Sequence, residues 1–118
     1  MMIPNSFQDI DFKDINNVIK ALKSKFLTQG PKVKIFEKKI INKVNSKYAV
    51  AFNSASSALH IACISIGLKK GDVAWTVPNT FVSSANCILH CGANIDFVDI
   101  DPNTFNISVL KLKEKLEY

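Results

Sequence analysis

Apolar residues recur along the chain with two spacings, and the change from one to the other marks where helices give way to strands. Between Asp11 and Leu22, the positions Phe12, Ile15, Val18, Ile19 and Leu22 stand three and four apart, which predicts an amphipathic helix ending near Lys23. A second stripe, Val33, Phe36, Ile40, Ile41 and Val44, predicts a helix over Lys32–Val44 with these side chains buried and with Asn45 and Ser46 ending it. The stretch between them, Lys25 to Pro31 (KFLTQGP), carries a Gly-Pro pair and reads as a loop.

After residue 47 the pattern shortens. Tyr48–Phe52 (YAVAF) is rich in strand formers and is followed at once by the small cluster Asn53, Ser54, Ala55, Ser56 and Ser57, a strand and then a turn. Ser57–Ile66 predicts a helix, with Gly67 where a left-handed C-terminal cap would sit. The chain then turns at Gly71-Asp72. Val73–Val77 predicts a second strand, Thr80–Cys91 a crossover helix capped by Gly92, Ile95–Val98 a third strand, and Ser108–Tyr118 a last helix.

A β-α-β-α-β order with crossovers of this length implies parallel strands covered by helices, joined by right-handed connections. The expected fold class is α/β, three-layered, with a mostly parallel sheet. Residues 1–46 form an N-terminal helical part and residues 47–118 the α/β part, with no repeat or Gly/Pro/Ser-rich linker dividing them.

Composition changes this picture little. At 47% apolar and 21% charged, the 118 residues suit one domain with a core. No apolar run approaches the roughly 20 residues of a membrane helix, and MMIPNSFQDIDFKD lacks a secretory layout, so a cytoplasmic protein that binds no membrane is expected. Cys63, Cys87 and Cys91 show no disulfide spacing and are expected to be reduced core thiols. The net charge of +5 comes from fifteen lysines without one arginine, which removes bidentate reading of guanine or phosphate. Lys32, Lys34, Lys38, Lys39 and Lys43 fall on one amphipathic helix, a solvated face, so no nucleic-acid partner is expected.

The chemistry concentrates at Asn53–Leu59 (NSASSAL), where a strand passes into a helix. Small side chains there let an anion approach the first-turn N–H groups, where the helix dipole favours negative charge. The same serines also suit a plainer duty, Ser54 or Ser56 capping its own helix. At the end of the second strand, Phe81 opens the next helix on the same carboxyl edge, where open α/β sheets bind ligands. Its ring suits stacking on a flat heterocycle or simple packing.

Two sharper readings fail on spacing. Asp99, Asp101 and Asn103 alternate as in a calcium loop, but Thr104 and Leu110 stand where glycine and glutamate are needed, so these acids read as strand-end and turn residues. Cys87, His90 and Cys91, with His60, lack the paired spacing of a zinc site and read as helix residues. No Ser-His-Asp arrangement suggests a hydrolase.

The motifs FLTQGP, FNSASSALH, PNTFVSSAN and FVDIDPNTFNIS, in this order and spacing across nearly the whole chain, resemble the opening of the DegT/StrS sugar aminotransferase family. KKGDVAWTVPNTF and SANCILHCGANIDFVDIDPNTFNIS are most similar to its UDP-sugar C4 branch, which serves pseudaminic acid biosynthesis. The resemblance implies the N-terminal portion of a fold-type I (aspartate aminotransferase-like) large domain. It further implies a homodimeric enzyme using pyridoxal 5'-phosphate (PLP) to move an amino group from glutamate to C4 of a UDP-linked 4-keto-6-deoxy sugar.

Carried over by position, Ala55 and Ser56 would contact the cofactor phosphate and Phe81 would stack on the pyridine ring. Lys25, Phe26, Leu27 and Thr28 would belong to a loop that meets the sugar nucleotide, with Ala55 also near the substrate. Members of this branch often have tyrosine where this sequence has Asn5, so Asn5 is assigned no contact. The family's Schiff-base lysine and its pyridine-pairing aspartate would lie beyond residue 118, so roughly the first third of such an enzyme is represented and these residues alone are not expected to transaminate. Two alternatives stay open. One is another nucleotide-sugar aminotransferase, or a B6-dependent sugar dehydratase in which the lysine is replaced. The other is a non-catalytic nucleotide-binding or assembly module using the same turn.

Overall fold

A computed structural model describes residues 6–117, and Asn5 lies outside the described residues. The chain divides between Ala51 and Phe52 into two compact units.

The first unit holds two helices, α1 (Phe12–Leu22) and α2 (Pro31–Val44). α1 begins where it does because Asp11 and Asp14 cap it reciprocally. The Asp14 N–H donates to Asp11 Oδ1 at 2.9 Å and the Asp11 N–H to Asp14 Oδ2 at 3.1 Å, satisfying two donors that a helix start leaves open. α2 starts on Pro31, whose missing N–H and fixed φ suit a first helical position, and it ends on Asn45 in the left-handed region at φ 51°.

The apolar stripes expected on these helices exist but are not buried. Phe36 is 54% and Val44 61% exposed, and no residue of either helix is buried. A helix stripe is covered only when a second layer packs on it, and the described residues of this unit form two helices and no sheet.

The expected strand Tyr48–Phe52 does not form. The segment runs outside helix and ladder, and the Ala51 N–H donates to Glu37 Oε1 at 2.9 Å, back onto α2. A run of strand formers becomes a strand only beside a partner, and among the described residues no strand pairs with this one.

The second unit runs α3 (Ala55–Ser65), β1 (Val73–Thr76), α4 (Ser83–His90), β2 (Asn94–Phe97) and α5 (Val109–Leu116). β1 and β2 pair in parallel, from Val73 opposite Asn94 to Thr76 opposite Phe97, and α4 is the crossover that a parallel pair requires. The ladder continues one step at each end, where Asn94 N–H donates to the Asp72 carbonyl and Val98 N–H to the Thr76 carbonyl, both at 2.9 Å.

The core sits under this crossover. Cys87 and Ile88 of α4 are buried with Ala93 and Val98, and Cys63, Leu68, Ala74 and Ile95 pack against the cluster. All three cysteines are free thiols, and burial pushes the Cys87 thiol above its ordinary pKa, with Cys63 adding to the effect, so it stays a protonated apolar group. Gly67 and Gly92 take φ of 86° and 74°, the left-handed caps that their positions predict. α5 is tied to the sheet by Lys115, whose ammonium lies 2.6 Å from Asp96 Oδ2, and the same carboxylate accepts from Trp75 Nε1 at 3.2 Å. No helix among the described residues is long and apolar enough to cross a membrane.

Candidate functional site

The turn into α3 is built by Ser54. It sits in extended backbone at the N-cap, and its Oγ accepts from the Ser57 N–H at 3.1 Å and shares a hydrogen with Ser57 Oγ at 3.0 Å. Its carbonyl takes the Ala58 N–H at 3.1 Å. Two of the first-turn donors are thus occupied. The N–H groups of Ala55 and Ser56 remain without an acceptor among the described residues, as the geometry of a helix start requires of groups that nothing else caps. The capping duty that the sequence left open between two serines falls to Ser54, which leaves the Ser56 hydroxyl for other use.

Ser56 Oγ lies 2.7 Å from Ser83 Oγ, the first residue of α4. This contact brings the starts of α3 and α4 together, so the positive ends of two helix dipoles and a set of N–H and O–H donors converge. Ser56 is exposed and Ser83 half-buried. Phe81 lies two residues ahead of Ser83, its carbonyl accepting from the Ser84 N–H at 2.9 Å, and the residue is 75% exposed. α4 begins at Ser83 rather than at Thr80, because Val-Pro-Asn-Thr-Phe stays in an irregular connection that Thr80 closes by pairing with Ser84 Oγ at 3.0 Å. Ser83 escaped the sequence reading. The signal was present, since Ser83-Ser84 repeats at the start of α4 the paired serines Ser56-Ser57 of α3.

The structure assigns Lys25–Thr28 to the connection from α1 to α2. The Ser24 hydroxyl reaches the carbonyls of Ala21 at 2.7 Å and Phe26 at 3.0 Å, which folds the loop back on the end of α1. The Lys25 ammonium stands 5.8 Å from the Phe26 ring centroid, within cation–π range. Phe26 and Leu27 line a hollow with Val18, Leu22 and Val33. A Cβ at Gly30 would come within 2.8 Å of Phe26 Cβ, so the close return of the loop requires glycine.

The acids set aside as metal ligands are engaged elsewhere. Asp101 accepts the N–H groups of Asn103 and Thr104, both at 2.9 Å, and these hold its carboxyl below the usual aspartate range. Asp99 is lowered first by the Lys111 ammonium at 2.7 Å and then by the Ile100 N–H. His60 and His90 face one another across α3 and α4 with ring centroids 5.4 Å apart.

Comparison with known proteins gives one consistent result. The profile described as the DegT/DnrJ/EryC1/StrS aminotransferase family matches residues 8–118. The chain is 43% identical over 115 residues to the UDP-4-amino-4,6-dideoxy-N-acetyl-beta-L-altrosamine transaminase of Campylobacter jejuni, covering 98% of this chain and 30% of that protein. Among solved structures it is similar to Helicobacter pylori PseC, an aminotransferase involved in the biosynthesis of pseudoaminic acid, with a TM-score of 0.84 and 34% identity over 90% of this chain and 29% of that one. It is also similar to the Escherichia coli GDP-4-keto-6-deoxy-D-mannose-3-dehydratase with bound hydrated PLP, with a TM-score of 0.88 and 31% identity over 94% of this chain and 30% of that one. The chain therefore spans about a third of the length of the relatives it matches. Its α/β arrangement is part of the fold-type I architecture that these enzymes share.

Proposed function

Because the chain belongs to the DegT/DnrJ/EryC1/StrS aminotransferase family, we propose that it carries the phosphate-binding edge of a PLP-dependent sugar-nucleotide aminotransferase. The observation that carries this reading is the first turn of α3, where the Ala55 and Ser56 N–H groups lack acceptors among the described residues, beside the paired hydroxyls of Ser56 and Ser83. A phosphate monoester dianion fits that donor set: it brings only acceptor oxygens, and the helix start offers only donors and positive potential.

When bound, PLP supplies an electron sink for moving an amino group between substrates. The residues of this chain hold and orient it. Ala55 and Ser56 would hold the phosphate from the main chain and Ser56 also from its hydroxyl, and Phe81, exposed ahead of α4, would stack on the cofactor ring. Lys25, Phe26, Leu27 and Thr28, all in the first unit, are the residues of this reading that would meet the sugar nucleotide. The substrate is a UDP-linked 4-keto-6-deoxy sugar and the donor glutamate, in nucleotide-sugar biosynthesis of the pseudaminic acid type. The relative from C. jejuni and the likeness to PseC support this choice. The working enzyme is a cytoplasmic homodimer in this reading.

The test is Ser56→Asp in the intact gene product. A carboxylate among the donors repels the phosphate, and like charges brought together cost several kcal/mol, so PLP affinity is expected to fall by about a hundredfold or more in an absorbance titration. Unchanged affinity removes the site.

The likeness to the E. coli dehydratase favours one second reading, removal of water from a nucleotide sugar on the same fold. Nitrogen-15 glutamate separates the two: label entering the sugar means transamination, and an unlabelled deoxy product means dehydration.

A further inference from the structure

Resting on the cofactor site proposed above, we propose that Ser83 is a positioning residue that aims the Ser56 hydroxyl proton at the cofactor phosphate. A serine hydroxyl has one proton and two acceptor lone pairs. In the free protein either member of the 2.7 Å Ser56–Ser83 pair can donate. A phosphate dianion accepts and does not donate, so once it is bound the single Ser56 proton goes to it. Ser56 then has only lone pairs left to offer Ser83, and Ser83 must be the donor. The ligand fixes the direction of the pair, and the donated bond polarises Ser56 Oγ–H toward the anion.

The neighbouring hydroxyls leave this duty to Ser83. Ser54 Oγ is held by Ser57, and Ser84 Oγ pairs with Thr80 Oγ1 at 3.0 Å. Ser56 is the hydrogen-bond partner of Ser83 Oγ among the described residues. Because Ser56 is exposed, water replaces Ser83 readily when no ligand is present. Loss of Ser83 is therefore felt in the bound state and little in the free one.

The experiment is a double-mutant cycle on PLP affinity in the intact gene product, with S56A, S83A and S56A/S83A and with melting of each cofactor-free form as a second measurement. S83A is expected to weaken PLP about three- to tenfold, to leave the cofactor-free melting point unchanged, and to have no further effect once Ser56 is alanine. Ser83→Thr, which keeps the hydroxyl, is expected to restore affinity. The phosphorus-31 resonance of bound PLP is expected to move in S83A and to return in the threonine variant. An S83A loss that persists at full size in the S56A background overturns the proposal in favour of direct contact. Equal affinity of S83A and wild type overturns it outright while S56A stays weak. If S56A itself binds normally, the phosphate site fails and this inference fails with it.

Discussion

Ser54 and Ser56 stand two residues apart at the start of α3 and have opposite exposures to change. Ser54 holds the helix start through the Ser57 N–H, so Ser54→Ala removes an N-cap and is expected to cost about 1 kcal/mol of stability. Urea denaturation of the intact gene product measures it as a lower midpoint at unchanged slope. Cofactor affinity measured on the folded protein should stay nearly constant, the reverse of Ser56→Asp. A drop in affinity without a drop in stability would exchange the duties of the two serines. At this scale the sequence told which residues gather at the turn, because small polar residues between a strand and a helix have few other uses. It left open which serine caps, since both satisfy the same composition. It missed Ser83 altogether, because a hydroxyl contact across 27 positions depends on how α3 packs on α4.

The elements were legible wherever local chemistry decides them. α1, α2, α3, α4 and α5 lie close to where periodicity and caps predict them, and their ends fall on residues with a stated reason, such as Asp11 before α1 and Gly67 after α3. Gly67 shows how strongly a single position matters. Its φ of 86° lies where an L side chain is strained, and a Cβ there would meet nothing within 4 Å, so Gly67→Ala has no steric excuse and isolates the backbone cost. That cost is about 1–2 kcal/mol, offset in part by the reduced entropy of the unfolded chain. A net loss near 1 kcal/mol is expected in the same denaturation experiment, and a neutral variant would mean that the cap relaxes. Tyr48–Phe52 shows the opposite limit. Its residues favour extended backbone, but a strand is a relation between two segments, and composition carries no information on whether a partner stands beside it.

For the molecule as a whole, the decisive fact is how little apolar surface the chain covers. Among the described residues Cys87, Ile88, Ala93 and Val98 are the buried apolar ones, all in the second unit, whereas Phe12, Leu22 and Val44 in the first and Phe81, Val109 and Leu110 in the second each stay more than 60% exposed. The amphipathic pattern placed Phe12 and Leu22 on the stripe of α1 and Val44 on that of α2, and it predicted the α2 stripe buried where it is exposed, because periodicity tells which face seeks cover and not what covers it. In relatives more than three times as long, further polypeptide is available for that purpose. Produced as these 118 residues alone, the chain is expected to self-associate, since exposed apolar faces of this extent bind one another. Light scattering coupled to size exclusion should show species larger than the 13.1 kDa monomer. Sulfate should enlarge them, by strengthening apolar burial and by screening the repulsion of a net charge of +5. A monodisperse monomer that melts cooperatively, unaffected by sulfate, would mean that the two units satisfy their own surfaces, and the apolar stripes would then need another explanation.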